Sequence, residues 1–334
     1  MLFAASGETS DEIGKCICYC GDDEAYVGGD VIVFRQSTND NVFLSYLFNS
    51  YKVNEQKAKM SKGEIVVHIY SGQIRNVRFP LPPLPEQTTI AHYLDCKTAE
   101  IDELFADKKR LLQLYDEEKT AMINELVTGK KVWNGHAWTE PVEVKDSGIE
   151  WLGEVPEHWE VKRLKYVGSL KSGNGIVSEQ IKESGEYPVF GGNGLRGYFS
   201  EFTHDGNYIL IGKQGAYCGN VKYGRGKFWA SEHAVVVSPL VQFDILYLGE
   251  LLRTMGLGQY SVSAAQPELA VDMIKNLIIP FPTFAEQQSI VHQIETECAR
   301  IDTKKARTEK LIKLLNEYRT ALISEVVTGK VKIV

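Results

Sequence analysis

Between Glu86 and Val127 the apolar residues Ile90, Leu94, Ile101, Leu104, Leu111, Tyr115, Met122 and Leu126 recur at steps of three, four and seven, with charged residues between them. That spacing keeps one narrow apolar stripe on one side of an α-helix. Neither proline nor glycine interrupts the stretch beyond Pro85, which suits a first helical turn, and Gly129 suits a C-terminal stop. One helix is therefore predicted, on the order of 60 Å long at ~1.5 Å per residue. At a fixed offset of 200 the pattern returns: Ile290, Ile294, Ile301, Leu311, Leu315, Leu322 and Val326 lie between Glu286 and Val327, with Gly329 beyond. The copies agree at Glu86-Gln87 and Glu286-Gln287, at Ile101-Asp102 and Ile301-Asp302, and in their endings "TAMINELVTGK" and "TALISEVVTGK". No insertion breaks the register, so both segments are expected to share one structure.

A long helix with a narrow apolar seam is not stable exposed on its own, and the partner at hand is its duplicate. An antiparallel intrachain coiled coil is predicted. Its seam is assigned to Ile90, Leu94, Ile101, Leu111, Tyr115 and Met122 on one helix and Ile290, Ile294, Ile301, Leu311, Leu315 and Leu322 on the other. Antiparallel pairing is favoured because it sets the globular segments that precede the helices at opposite ends.

From Trp151 to Pro282 the pattern changes to short runs of β-branched and aromatic residues punctuated by glycine: "YILIG" from Tyr208, "AVVVS" from Ala234 and "NLIIP" from Asn276. This predicts a mainly β domain with a helix around "FDILYLGELLRTM" from Phe243 to Met255. Residues 1–79 read as a partial copy of it, since "LFAAS" at Leu2 resembles "ILIG" at Ile209, "GDVIVF" at Gly29 resembles "EHAVVV" at Glu232, and "IRN" at Ile74 matches "IKN" at Ile274. Nothing in residues 1–79 matches Trp151 to Asn207. The opening on a strand-like segment is read as the mark of a truncated or split frame. The fold class is thus α+β, mainly β domains alternating with two long helices. The expected division is a partial domain over 1–79, a helix over 80–130, a linker over 131–150, a domain over 151–280 and a helix over 281–334.

The length of 334 residues fits about two to four globular units. No apolar run approaches the roughly 18 residues that span a bilayer, and the start lacks the basic and apolar regions of a secretory signal, which points to the cytoplasm and to no membrane partner. The net charge of −7 argues against non-specific coating of nucleic acid but leaves room for local basic surfaces. Cys16, Cys18 and Cys20 have a period of two, which suits a strand better than a zinc site, so no metal is assigned.

Catalytic chemistry finds no site. Gly192, Gly194 and Gly197 spell G-x-G-x-x-G, but "YFSEF" follows where a dinucleotide site needs a helix. "GKQGAYCGN" from Gly212 to Asn220 lacks the spacing of a phosphate loop, and the E-x-K triplets at Glu143 and Glu160 have no well-placed acidic partner. The chain is read as no enzyme, with no cofactor. Binding has better support. Asn193, Arg196, Lys213, Gln214, Tyr217, Asn220, Lys222, Arg225 and Lys227 cluster in sequence with interleaved tyrosines and glycines. Arg and Lys neutralise phosphates or grip guanine edges, Asn and Gln pair with adenine, and Gly lets backbone approach closely. An ordinary solvated β surface has the same composition.

Four features resemble the specificity subunit of bacterial Type I restriction-modification systems: "PLPEQ" opening a long helix, "LVTGK" closing it, "GIEWLGEVPEHWEVKRL" from Gly148, and "YPVFGGNGLRGY" with "GKFWASEHAVVV". The resemblance implies target-recognition domains, partial over 1–79 and complete over 151–280, that read double-stranded DNA. It implies helices that act as spacer and as docking platform for modification (methyltransferase) subunits and, through them, restriction subunits. S-adenosylmethionine and ATP would then belong to those partners. The departure from the family pattern is the missing front of the first domain. The alternatives are a coiled-coil scaffold or protein-binding module without DNA specificity, and a degenerate product of a recombined locus.

Overall fold

A computed structural model describes residues 1–10, 13–21, 23–63, 66–261 and 267–333. Contacts group the chain into two compact units, Met1–Gln113 with Lys304–Val334, and Leu114–Thr303. The two long helices run over Leu84–Val127 and Phe284–Val327, 44 residues each. They begin within a turn of the prolines or threonine that precede Glu86 and Glu286. They end at Gly129 (φ +78°) and Gly329 (φ +72°), where a left-handed residue lets the next amides reach back to the last turn: Lys131 N–H donates to Glu125 C=O at 3.1 Å, and Lys330 N–H to Glu325 C=O at 2.9 Å.

Within each unit the helices pair antiparallel, as the seam requires. In the unit of Leu114–Thr303, Leu126 and Val127 share a core with Ile290, Val291 and Ile294. Beside that core Lys119 Nζ meets Asp302 at 3.0 Å and Arg300 meets Glu118 at 2.9 Å. In the other unit, Ile90, Ala91 and Leu94 pack with Ile323, Val326 and Val327, and Arg319 Nε lies 3.5 Å from Asp102. Ile90, Leu94, Ile101, Ile290, Ile294 and Ile301 are buried, and Leu111, Tyr115, Met122, Leu315 and Leu322 are half-buried. Leu311 corrects the expected seam: it is 48% exposed, while Thr308 is 5% exposed. Seven residues on from Ile301 the stripe passes through Thr308, then Ile312 and Leu315, so a polar residue holds the seam position and leaves Leu311 one step off the face.

The unit of Leu114–Thr303 is built on a six-stranded sheet with strand order Gly168–Ser172, Ala234–Pro239, His204–Gly212, Val221–Ala230, Tyr187–Gly191, Gly194–Phe199. One face of this sheet holds Ile209, Ile211, Val235 and Val237 against the helix Ile245–Thr254 and the tips of the long helices. The other face carries a small cluster of Leu210, Phe228, Ala230 and Val236. Residues 131–150, expected as a linker, carry the hairpin Val132–Trp133 with Trp138–Thr139 and a strand, Val144–Asp146, paired to Glu154–Pro156.

The other unit repeats part of this plan. Its three-stranded sheet, ordered Cys16–Ile17, Leu2–Ala4, Val31–Val33, is backed by the helices Asn41–Phe48 and Tyr51–Met60. Both units latch the start of a long helix in one way. Gln287 is fully buried: its Oε1 accepts from Asp244 N–H at 2.8 Å and its Nε2 donates to Pro282 C=O at 2.9 Å. Gln87 does the same with Asp40 N–H at 2.9 Å and Pro82 C=O at 2.8 Å. Asp40 and Asp244 in turn cap the helices that follow them.

Lys57 is fully buried and donates to Gly14 C=O at 2.6 Å. Burial pulls its amine down from the ordinary 10.5 to about 8, with the neighbouring Cys16 opposing weakly. Between pH 8 and 9 the unfolded chain keeps that proton while the folded chain releases it, so Lys57 by itself contributes a rise of this unit's stability with pH that stays below ~1.4 kcal/mol per unit. The net rise is smaller and ends near pH 9, because burial holds the Cys16 thiol up at about 12 and the Cys18 thiol at about 11 while the unfolded thiols ionise around their ordinary 9.0. Lys57→Met should abolish the rise, read as amide exchange of the helix Tyr51–Met60 between pH 7.5 and 9; an unchanged slope would refute the assignment.

Candidate nucleic-acid interface

The polar cluster of Asn193 to Lys227 spans three strands, and strand pairing decides which members meet. A tight hairpin joins Tyr187–Gly191 to Gly194–Phe199, with Gly191 opposite Gly194 and Asn193 exposed at its tip. The Gly194 backbone lies over the Lys222 stem, where an added Cβ would sit 3.8 Å from Cδ and Cε. The loop after His204–Gly212 closes on the same place: a Cβ on Gly212 would come within 2.4 Å of Gly192 C=O and 2.5 Å of Tyr217 C=O, so only glycine admits this approach. One end of the sheet therefore gathers Asn193, Lys213, Gln214, Tyr217, Asn220 and Lys222. The Arg196 stem lies across Gly191 beside them.

These side chains are not equivalent. Gln214 uses both ends of its amide inside the cluster: Oε1 contacts His233 Nδ1 at 2.9 Å and Nε2 donates to Glu268 Oε1 at 3.1 Å. Lys213 Nζ lies 3.5 Å from the same carboxylate. In this arrangement both residues brace the loop, which differs from the expectation that Gln214 reads adenine. Asn193 and Asn220 are exposed, and their side-chain amides have no partner among the described residues. Tyr217 is 51% exposed, whereas Tyr223 donates its hydroxyl to Glu250 at 3.0 Å and Tyr208 packs on Phe228.

Arg225 and Lys227 stand apart. Cross-strand pairing puts Lys222 opposite Leu210 and Arg225 opposite Asn207, so the two leave opposite faces of the sheet. Lys227 lies five residues, roughly 17 Å, along the strand from Lys222, and its ammonium sits 4.8 Å from the Phe202 ring centroid. Arg225 borders a cleft with Asn207, Asp244 and Phe284. Sequence reading missed Arg253, which lines a cleft of about 460 Å³ with Asn220 and Lys222. Arg253 pairs with Glu250 and donates to Val221 C=O at 3.1 Å. Its place in the last turn of a helix resembled an ordinary dipole-matching base, and no motif marked it.

The sheet with its long flanking helices and glycine-lined polar loops defines a class, and sequence comparison agrees. The signature of the Type I restriction modification DNA specificity domain matches residues 9–112 and 156–313, and the chain belongs to that family. Over 159 residues it is 39% identical to the Type I restriction enzyme EcoprrI specificity subunit of Escherichia coli, a match covering 44% of this chain and 40% of that protein. Over 317 residues it is 26% identical to the Type I restriction enzyme MjaVIII specificity subunit of Methanocaldococcus jannaschii, covering 86% of this chain and 70% of that protein. The match thus spans less than half the length of the EcoprrI subunit.

Among solved structures, a chain from work on complex assembly and conformational transition of the type I R-M system superposes with a TM-score of 0.70 at 16% identity, covering 90% of this chain and 74% of that one. The HsdS subunit from Thermoanaerobacter tengcongensis superposes with a TM-score of 0.56 at 17% identity, covering 90% and 73%. At these identities the likeness is one of fold.

Proposed function

We propose that this chain is the non-catalytic DNA-reading subunit of a Type I restriction-modification complex. The observation that carries the proposal is the convergence of Asn193, Tyr217, Asn220 and Lys222 at one glycine-lined end of the six-stranded sheet. Asn193 and Asn220 offer amides for adenine edges, Tyr217 an apolar ring with a polar tip, and Lys222 a charge for phosphate or guanine. Lys213 and Gln214 hold the loop. Arg196 serves as a phosphate contact that positions the duplex, while Arg225 and Lys227, which stand apart, fall outside this surface. In this reading residues 151–280 form the working recognition domain and 1–79 a partial one, while the long helices dock modification subunits and, through them, restriction subunits. Methyl transfer and cleavage, with S-adenosylmethionine and ATP, belong to those partners, and the complex works in the cytoplasm. No helix of the described residues is long and apolar enough to cross a membrane.

The test is selection from random duplex DNA by the chain reconstituted with its modification subunits. One short motif should emerge. Asn193→Ala with Asn220→Ala should lower discrimination at its positions by about 10- to 100-fold, the equivalent of ~1–3 kcal/mol. Lys222→Ala should weaken all sequences alike and reduce the salt slope by about one, as loss of a phosphate contact does. A complex without sequence preference at any salt concentration would sink the proposal and leave the scaffold reading in its place.

A further inference from the structure

His233 stands between the two loops that carry the candidate reading residues. Lys213 N–H donates to His233 C=O at 2.9 Å, which pins the start of the loop with Tyr217 and Asn220. The hairpin that carries Asn193 closes on the same place, where a Cβ on Gly192 would lie 3.2 Å from the His233 carbonyl oxygen and 3.3 Å from that of Gln214. On the far side of the loop, Leu269 N–H donates to Lys213 C=O and Gly215 N–H to Pro267 C=O, each at 2.9 Å.

The side chains of these segments form one row: Glu232, His233, Gln214, Glu268 and Lys213. His233 Nε2 lies 3.1 Å from Glu232 Oε1, and His233 Nδ1 lies 2.9 Å from Gln214 Oε1. The Gln214 amide is fixed by its other end, because Nε2 donates to the Glu268 carboxylate at 3.1 Å and an ionised carboxylate only accepts. Turning the amide over would set Oε1 against that carboxylate. Both imidazole nitrogens therefore face acceptors. A neutral ring has one N–H, so either tautomer leaves a nitrogen lone pair against an oxygen, whereas the imidazolium donates at both ends. Glu232 points the same way: its Oε2 is shielded from solvent and has no hydrogen-bond partner, which is costly for a carboxylate unless a cation stands beside it. That neighbour is the His233 ring. Lys213 Nζ, 3.5 Å from Glu268, closes the row.

We propose that His233 is a positioning residue of the reading surface and acts as the imidazolium. It holds Gln214, and through Gln214 the loop with Tyr217 and Asn220, in register with the hairpin that carries Asn193. The inference rests on the reading of these loops as the DNA-contacting surface. Loss of the second ring proton leaves an acceptor facing an acceptor at Gln214 or at Glu232 and replaces a charge-assisted hydrogen bond by a neutral one. Protonation of Glu232 or Glu268 at the acid end removes the partners instead, so the row is complete between the carboxylate and the imidazole titrations and loosens as pH rises through the latter. His233 acts through the loops, so its deprotonation lowers the ratio of specific to non-specific affinity, while Lys222 and Arg196 keep their charge for any duplex.

The free chain is followed between about pH 5 and 9 by ring NMR of His233 and by amide-exchange protection factors of residues 214–220. Protection should fall about fivefold as the ring loses its second proton, the step from a charged to a neutral hydrogen bond. Glu232→Gln, which removes the anion beside the ring, should move the fall to lower pH, and His233→Gln should abolish it while leaving protection at Leu210 and Val236 unchanged. In the complex with modification subunits, the affinity ratio between the selected motif and unrelated duplex should fall over the same range, and stay level in His233→Gln. The proposal is overturned if loop protection or the affinity ratio stays level while the ring titrates, or if the ring carries a single N–H throughout the range in which the loop is protected. A loop that follows the ring in a complex without any sequence preference would sink the function proposed above rather than this row of contacts. A complex that selects a motif while its loop ignores the ring sinks the role of His233 alone.

Discussion

Trp159→Ala is expected to destabilise the unit of Leu114–Thr303 by ~3–5 kcal/mol, the largest effect of any single substitution considered. Trp159 is 1% exposed, seats against the left-handed Gly129 at the end of the first long helix, and donates its indole N–H to Glu286 at the start of the second. Its removal opens a cavity where three chain segments meet and takes a donor from a half-buried carboxylate. Burial by itself raises the Glu286 pKa, but hydrogen bonds from His158, Thr283 and Trp159 outweigh it and hold the carboxyl below its ordinary value. Trp159→Phe separates the two losses: it keeps most of the volume and should cost only the hydrogen bond, ~1.5–3 kcal/mol. Native-state amide exchange at Leu210 and Val236 measures both, and Trp159→Ala should speed it by roughly two to four decades. Equal effects of the two variants would show that packing at Gly129 matters little.

Gln287→Leu is expected to cost ~2–4 kcal/mol in the same unit. Leucine nearly matches the glutamine in volume, so the loss is almost wholly polar: the part-buried Asp244 N–H loses its acceptor and the buried Pro282 C=O its donor. Asp244 then holds the start of the helix Ile245–Thr254 by its cap alone. Gln87→Leu should have a similar effect in the other unit, since Gln87 holds Asp40 N–H and Pro82 C=O and also donates to Asn39 Oδ1 at 3.0 Å. Urea unfolding followed at each unit's own amides reads both. A loss under about 0.5 kcal/mol in either variant would mean water replaces the amide there, and the latch is not structural.

The Gln87 and Gln287 pair was visible in the sequence as an identity inside the repeat, yet its role was not. A glutamine next to a glutamate at a helix start reads as an exposed polar turn, and only the fold of the preceding domain around it made it a buried latch. The long helices were legible because their signal is local. A 3.6-residue period, prolines ahead and glycines behind define a helix and its apolar side without knowledge of anything distant. Duplication of the seam then named the partner. Even there the phase slipped at Leu311, because the seam continued through Thr308 and composition could not distinguish a buried threonine from a surface one.

The candidate reading surface was legible as a list of residues and not as a surface. Asn193, Tyr217, Asn220 and Lys222 are brought together by pairing among the strands of one sheet, including the non-sequential pair Tyr187–Gly191 with Val221–Ala230. A step of one residue along a strand moves a side chain to the opposite face, so whether Lys222 and Arg225 stand together depends on alternation and register that charge patterning does not contain.

By itself, then, the order of residues determined the two helices, their antiparallel partnership, the β character of the segment between them and the family to which the chain belongs. Each of these follows from spacing or repetition along the chain. Only the tertiary structure decided which polar groups share one end of the sheet and that Gln214 is held by His233 and Glu268. Those depend on contacts between residues tens of positions apart, where backbone pairing and close packing, not local pattern, select the neighbours.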